Sequence, residues 1–185
     1  MLVNELARPA LALNLPCEAP CGQVARPGEP VYFSLRTLVR TPPALDVRDR
    51  PVFVCENPNI VAITADRLGA DAAPLVCTEG MPAAAQRTLL AQLTSLGARL
   101  RYHGDFDWPG LQIANHVLRQ FGAVPWRMSA SDYKAAVAAS AERQPLRGRP
   151  IVATWDTALT VAMRHFGGLV PEEAVTEALI ADLRH

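Results

Sequence analysis

The chain has 185 residues, half of them hydrophobic at 50%, enough for one domain with a buried core and too few for a multidomain machine. Lys+Arg and Asp+Glu are 18 each, a formal net charge of zero, which excludes a uniformly basic coat for nucleic acid but not a locally basic face. Charged residues at 19% among abundant apolar ones exclude a disordered chain, and no apolar run approaches the roughly 18 residues that span a bilayer. Met1–Leu15 is apolar but carries Glu5 and Arg8 and lacks a basic start, unlike a signal peptide. The expectation is a cytoplasmic protein with no membrane association.

Residues 1–50 hold seven of the 16 prolines and show no clear period. They are expected to be a lead-in, the remnant of a preceding DNA-binding region or a linker from one. Within them Val31–Arg40 fits a short helix or a strand, and the pattern does not choose. Cys17 and Cys21 have a spacing that zinc sites use, but no second ligand pair follows. Cys55 and Cys77 sit in short apolar runs, as buried thiols do.

From Pro51 the character changes, and residues 51–185 are expected to form the domain proper. Pro51–Cys55 is a β-branched apolar run and predicts a buried strand. Asn57-Pro58-Asn59 then opens a helix to Leu68, stopped by Gly69. Pro74–Cys77 predicts a second strand, and Pro82–Leu96 a second helix. Residues 98–103 alternate apolar with basic, a third strand. Pro109 starts a helix that Gly122 ends, 124–128 predicts a fourth strand, and Ser129 or Ser131 caps a further helix. Ile151–Thr154 is a candidate fifth strand, with helices expected near Thr157–His165 and Pro171–Leu183. Such alternation predicts an α/β fold, a mostly parallel sheet of about four strands with helices on both faces.

Ligands of open α/β sheets bind beyond the carboxyl ends of the strands. There the chain carries Glu56, Glu79, and the pair Asp105 and Asp107 in His103-Gly104-Asp105-Phe106-Asp107-Trp108-Pro109-Gly110. Two carboxylates at alternate positions of an extended segment point the same way, and with Glu56 they concentrate negative charge that a cation would offset. Hard oxygen ligands without Cys or His suit Mg²⁺ or Mn²⁺. Such an ion recruits phosphate oxygens and activates water. A lone Asp-x-Asp is commonly a solvated turn or helix cap; joint placement with Glu56 favours the metal reading. Glu79 serves equally as a turn cap or a further ligand. His103 and His116 could donate to a phosphate, though each fits a structural role better.

An acidic residue after the first strand and an Asp-x-Asp after the third form the pattern shared by toprim domains. Val52-Phe53-Val54-Cys55-Glu56-Asn57-Pro58, Leu75-Val76-Cys77-Thr78-Glu79-Gly80 and Arg101 through Leu111 resemble the C-terminal toprim domain of the JetD subunit of bacterial Wadjet anti-plasmid systems. Ala153-Thr154-Trp155-Asp156 and Glu172-Glu173-Ala174-Val175 fit it as well. The resemblance runs from about Pro51 onward. It implies a Rossmann-like toprim fold, similar to that of type IIB topoisomerase A subunits. It further implies a Mg²⁺-dependent nuclease with catalytic and metal-binding Glu56, Asp105 and Asp107, cutting DNA presented by an SMC-like motor complex. Whether the module is a homodimer stays open. Members carry an additional N-terminal DNA-binding region that this chain is too short to include.

Topoisomerase-like relatives attack DNA with a tyrosine; here Tyr32, Tyr102 and Tyr133 lie in no obvious nucleophile context, so hydrolysis is favoured over strand transfer. Between Gly97 and Arg164 nine Arg/Lys face five Asp/Glu. The loop residues Arg143, Arg147 and Arg149, with Arg119 and Arg127, are candidates for DNA phosphates, the alternative being a solvated loop. Two other functions compete: a non-catalytic toprim-like interaction module, and a small-molecule phosphate-ester hydrolase. The second is disfavoured because no Gly-rich phosphate loop follows the first strand.

Overall fold

The apolar runs predicted as strands become the parallel core of one sheet. The computed structural model describes residues 8–17, 26–140 and 144–184; the expectations for Cys21 and Arg143 fall outside them. Strand β1 is Ala10–Leu13, β2 Val31–Phe33, β3 Pro51–Cys55, β4 Leu75–Cys77, β5 Arg99–Tyr102 and β6 Val124–Pro125. They form a six-stranded sheet in the order β2-β1-β4-β3-β5-β6. Strands β4, β3, β5 and β6 run parallel, while β1 is antiparallel to both its neighbours. A two-stranded ribbon pairs β7, Gln144–Pro145, with β8, Gly168–Leu169.

Helices cover both faces, as the alternation implied. Helices α1 (Leu35–Arg40), α3 (Ala84–Ser95), α4 (Trp108–Phe121), α5 (Ala130–Ala139) and α6 (Thr157–Phe166) pack with Val52, Val54, Val76 and Tyr102 on one face. Helices α2 (Pro58–Leu68) and α7 (Thr176–Leu183) pack with Phe53, Cys55, Leu75 and Cys77 on the other. This is the period-2 alternation of a strand buried on both sides, which is why β3 contains no polar residue. At β5 only one face is closed: Leu100 and Tyr102 are buried while Arg99 and Arg101 are exposed, and the Arg101 guanidinium lies 5.8 Å from the Phe53 ring centre.

Four elements differ from the sequence expectation. Residues expected to lead in to the domain supply β1 and β2 of the same sheet, so the sheet crosses the expected boundary at residue 50. Every residue of β1 is buried, because Ala10 and Ala12 enter the core on one face of the sheet and Leu11 and Leu13 the core on the other. Val31–Arg40 is both a strand and a helix, divided by Ser34, whose side chain caps α1 by accepting the Thr37 N–H. Ile151–Thr154 is not a strand. Its backbone groups are taken by side chains instead: Asn115 donates to the Val152 carbonyl and accepts the Thr154 N–H, and Thr160 accepts the Ala153 N–H. Strand β6 is two residues rather than five; Pro125 lacks an N–H, and Arg127 at φ 47° turns the chain out of the ladder.

Candidate functional site

The parallel register brings the acidic segments together. Val54 pairs with Tyr102, so Glu56 beyond β3 and the 103–107 segment beyond β5 leave the sheet side by side. Glu56 Oε2 accepts the Tyr102 hydroxyl at 3.3 Å and the Asp105 N–H at 3.4 Å. Gly104 leaves room for this arrangement, since a Cβ there would lie 2.6 Å from Glu56 Oε2 and push that carboxylate aside. Phe106 forms an antiparallel bridge with Val170, its N–H reaching the Val170 carbonyl at 2.9 Å, which lays the segment after β8 along the 103–107 strap. Asp107 caps α4, its Oδ1 accepting the Gly110 N–H at 2.6 Å. The strap and helix start are pressed tightly together: a Cβ on Gly110 would come within 2.2 Å of the Asp105 carbonyl oxygen.

Asp105 Oδ1 accepts the backbone N–H of Glu172 at 2.7 Å. Glu172 itself is 0% exposed. Its carboxylate accepts the Glu56 N–H at 3.1 and 3.2 Å and the Asn57 N–H at 2.6 Å. This residue, in a 3-10 turn at Glu172–Val175, was not among the expected site residues. Its sequence signal, adjacent acids after Pro171, is also that of acids in the first turn of an ordinary helix.

Electrostatics follow from burial and from like charges in one place. Burial and the Asp105 charge, with Asp107 adding to them, push Glu56 from 4.5 up to about 7, against the pull of the Asp105 N–H and the Tyr102 hydroxyl. Burial raises Asp105 as well, helped by Asp107 and Glu173 and opposed by the Glu172 N–H. Glu172 is raised by burial against two backbone donors. Among the described residues, Glu56 Oε1, Asp105 Oδ2 and Asp107 Oδ2 carry no hydrogen bond, so each acid has one oxygen anchored and one to offer.

Glu79 stands apart. It takes a left-handed turn at φ 52°; Arg8 bonds its carbonyl at 2.8 Å and lies 3.7 Å from its carboxylate. The candidate phosphate ligands separate too. Arg147 lines a cleft of about 550 Å³ with Asp107, Pro109, Gln144, Pro145 and Leu169. Arg149 lies exposed in the same loop. Arg119 sits in the last turn of α4, about 17 Å along the helix from Trp108 at 1.5 Å per residue, and so belongs to the far end of the sheet. The Arg127 guanidinium is held by both carboxylate oxygens of Asp182, at 2.6 and 2.7 Å, and Trp126 donates to the same carboxylate. Arg127→Ala is therefore expected to lower stability by about 1 kcal/mol, the scale of a partly exposed charged hydrogen-bond pair, which thermal melts read directly.

His103 is wholly buried, and its Nδ1–H donates to the Trp126 carbonyl at 2.8 Å. Burial lowers it to about 4, so it is a neutral structural imidazole rather than a phosphate donor. Tyr102 and Tyr133 are buried, and Tyr133 donates to the Gly168 carbonyl. Tyr32 is 56% exposed but sits on the edge strand β2, three strands from β3.

The family model described as "Protein of unknown function C-terminus (DUF2399)" matches residues 31–183. The chain belongs to this family. No curated protein matches it. The DUF2399 match begins at β2 and ends with α7, so it contains Glu56, Asp105, Asp107 and Glu172 and leaves out β1 and Arg8. No helix among the described residues of this DUF2399 chain is long and apolar enough to cross a membrane.

The acids offer an ion hard oxygen donors only, and among the described residues no Arg, Lys or His is ion-paired with Glu56, Asp105 or Asp107; this fits Mg²⁺ or Mn²⁺ in chemistry. As the side chains stand, no group of three or more His, Cys, Asp or Glu among the described residues is set to hold a metal ion. The two facts are compatible for Mg²⁺, which keeps several waters and takes one or two protein carboxylates.

Proposed function

We propose that this chain is the toprim module of a Mg²⁺- or Mn²⁺-dependent DNA endonuclease of the JetD kind, cutting plasmid DNA in a bacterial defence complex with an SMC-like motor. The observation that carries the reading is the meeting of Glu56 with the Asp105–Asp107 segment, Glu56 Oε2 accepting the Asp105 N–H, at the strand ends where α/β sheets bind ligands. Raised carboxylates gathered in one place mark functional edges more than structural ones. Asp105 and Asp107 would hold the ion through their unbonded oxygens, with Glu56 as a third ligand or as the group that takes the proton from the attacking water. The ion, when bound, supplies charge neutralisation at the scissile phosphate and activation of water. Arg147, which lines the same cleft as Asp107, would hold a neighbouring phosphate without reading a base. The burial of Tyr102 and Tyr133 and the distance of Tyr32 favour hydrolysis over attack by a tyrosine of this chain.

The test is plasmid cleavage by the protein together with its motor partners, in Mg²⁺ and in EDTA, wild type against Asp105→Asn. Cleavage should require the ion and fall at least about a hundredfold in the variant, the scale of several kcal/mol of ion-derived stabilisation. Equal cleavage by the two proteins sinks the assignment. A second reading, a non-catalytic interaction module, is favoured by the lack of a ready-made three-ligand group among the described residues. It predicts no ion-dependent cleavage, even if millimolar Mg²⁺ raises the melting temperature by binding the folded state.

A further inference from the structure

We infer that Glu172 is a positioning residue of the carboxylate edge, joining the ends of β3 and β5 so that Glu56 and Asp105 present their free oxygens together. The inference rests on the reading of that edge as the reacting site. Glu172 touches both acidic segments at once. Its carboxylate draws in the Glu56 and Asn57 N–H groups, and its own N–H engages Asp105 Oδ1.

Both oxygens are occupied and the residue is 0% exposed, so it is neither an ion ligand nor a proton acceptor for substrate. A buried carboxylate is costly, and one placed beside another acid adds repulsion that a neutral side chain would avoid. Three N–H contacts keep it satisfied, yet such groups contribute little net stability compared with apolar packing.

What the arrangement achieves is orientation. With Oδ1 of Asp105 held by the Glu172 N–H, rotation of that carboxylate is blocked and Oδ2 becomes the outward oxygen. With the Glu56 and Asn57 N–H groups drawn to one carboxylate, the turn after β3 is fixed, and the Glu56 side chain comes back to the Asp105 N–H. The Phe106–Val170 bridge aligns the two segments so that the Glu172 N–H meets Asp105 Oδ1. Groups that orient ligands in this way typically cost 10–100-fold in metal affinity or activity when removed.

The experiment compares wild type with Glu172→Gln and Glu172→Ala, using Asp66→Asn as a control on an exposed acid that touches neither strand end. Three measurements are made: amide hydrogen exchange at Glu56 and Asn57 without metal, Mn²⁺ affinity by electron paramagnetic resonance, and kcat and KM for plasmid cleavage with the motor partners. Glu172→Gln should melt close to wild type, because its amide oxygen keeps one acceptor. It should exchange the two amides at least about tenfold faster, bind Mn²⁺ at least about tenfold more weakly, and lose about a hundredfold in kcat with KM unchanged. Glu172→Ala should lose more of each, and Asp66→Asn none. Wild-type exchange rates in both Glu172 variants overturn the inference. So does unchanged Mn²⁺ affinity and kcat in a folded Glu172→Gln protein, an equal loss in Asp66→Asn, or unfolding of Glu172→Gln, which would make the residue a stability element. If wild type neither binds Mn²⁺ nor cuts DNA, the proposed function fails, while the exchange rates still report whether Glu172 orders the edge.

Discussion

Asp107→Asn should abolish plasmid cleavage while the protein melts and binds DNA as wild type does. The side chain has two separable duties. One oxygen caps α4 through the Gly110 N–H, and the other is free to meet an ion. Asn caps a helix as well as Asp, and the small loss of favourable charge at the helix N-terminus is offset by relief of repulsion with Asp105 and Glu56. If Asp107 holds the ion as proposed, its loss should remove several kcal/mol of transition-state stabilisation, which is about a thousandfold in kcat. Asp107→Ala loses the cap as well, about 1 kcal/mol, or roughly 2–4 °C in melting temperature for a domain of this size. The pair thus separates catalysis from folding. Cleavage by Asp107→Asn at the wild-type rate, with Asp107→Ala inactive, would mean that the cap is what matters.

Glu56→Gln should stabilise the metal-free protein at pH 8 and leave it unchanged at pH 4.5. The folded state raises this carboxyl from 4.5 to about 7. A raised carboxyl favours folding fully below its unfolded pKa, and that contribution is lost as pH climbs through the folded value. At 1.36 kcal/mol per pKa unit the loss across this window is up to about 3 kcal/mol, or roughly 6–10 °C. Gln retains an oxygen for the Tyr102 hydroxyl and the Asp105 N–H, so it removes the charge without breaking the packing. His103 tilts the wild-type curve the opposite way. It is neutral in the fold with its pKa lowered to about 4, so the unfolded chain takes up a proton first and stability falls as pH drops from about 6.5 to 4. Melts of wild type and variant at each pH cancel the histidine and leave the Glu56 contribution. Addition of Mg²⁺ should narrow the gap at pH 8, because the ion replaces the missing compensation. A variant no more stable than wild type at pH 8 would show that this carboxylate is not strained by its neighbours.

Some of this was legible in the residues alone because it is local or topological. A strand buried on both faces admits no polar residue, so Pro51–Cys55 announced the centre of the sheet. Asn57 before Pro58 announced a capped helix, and the cap forms. Regular β-α alternation sends parallel strands out on one side, which put Glu56, Asp105 and Asp107 on one edge before any side chain was placed. The match of residues 31–183 to the DUF2399 family spans that edge.

Tertiary structure alone decided how those acids are held. Ala10–Leu13 is four apolar residues among prolines, and only pairing with β4, more than sixty residues later, makes it an interior strand. Glu172 meets Glu56 across 116 positions, and Arg127 is claimed by Asp182 across 55; no period or spacing encodes such meetings. Arg119 and Arg147 look alike as basic residues, yet one sits at the far end of α4 and the other lines the cleft that Asp107 lines. The sequence by itself determined which edge carries the charge, because strand direction and apolar period are properties of short segments. Which oxygen is anchored, which arginine is free and which buried acid orders the edge depend on contacts between segments distant in sequence, and those exist only once the sheet has closed them together.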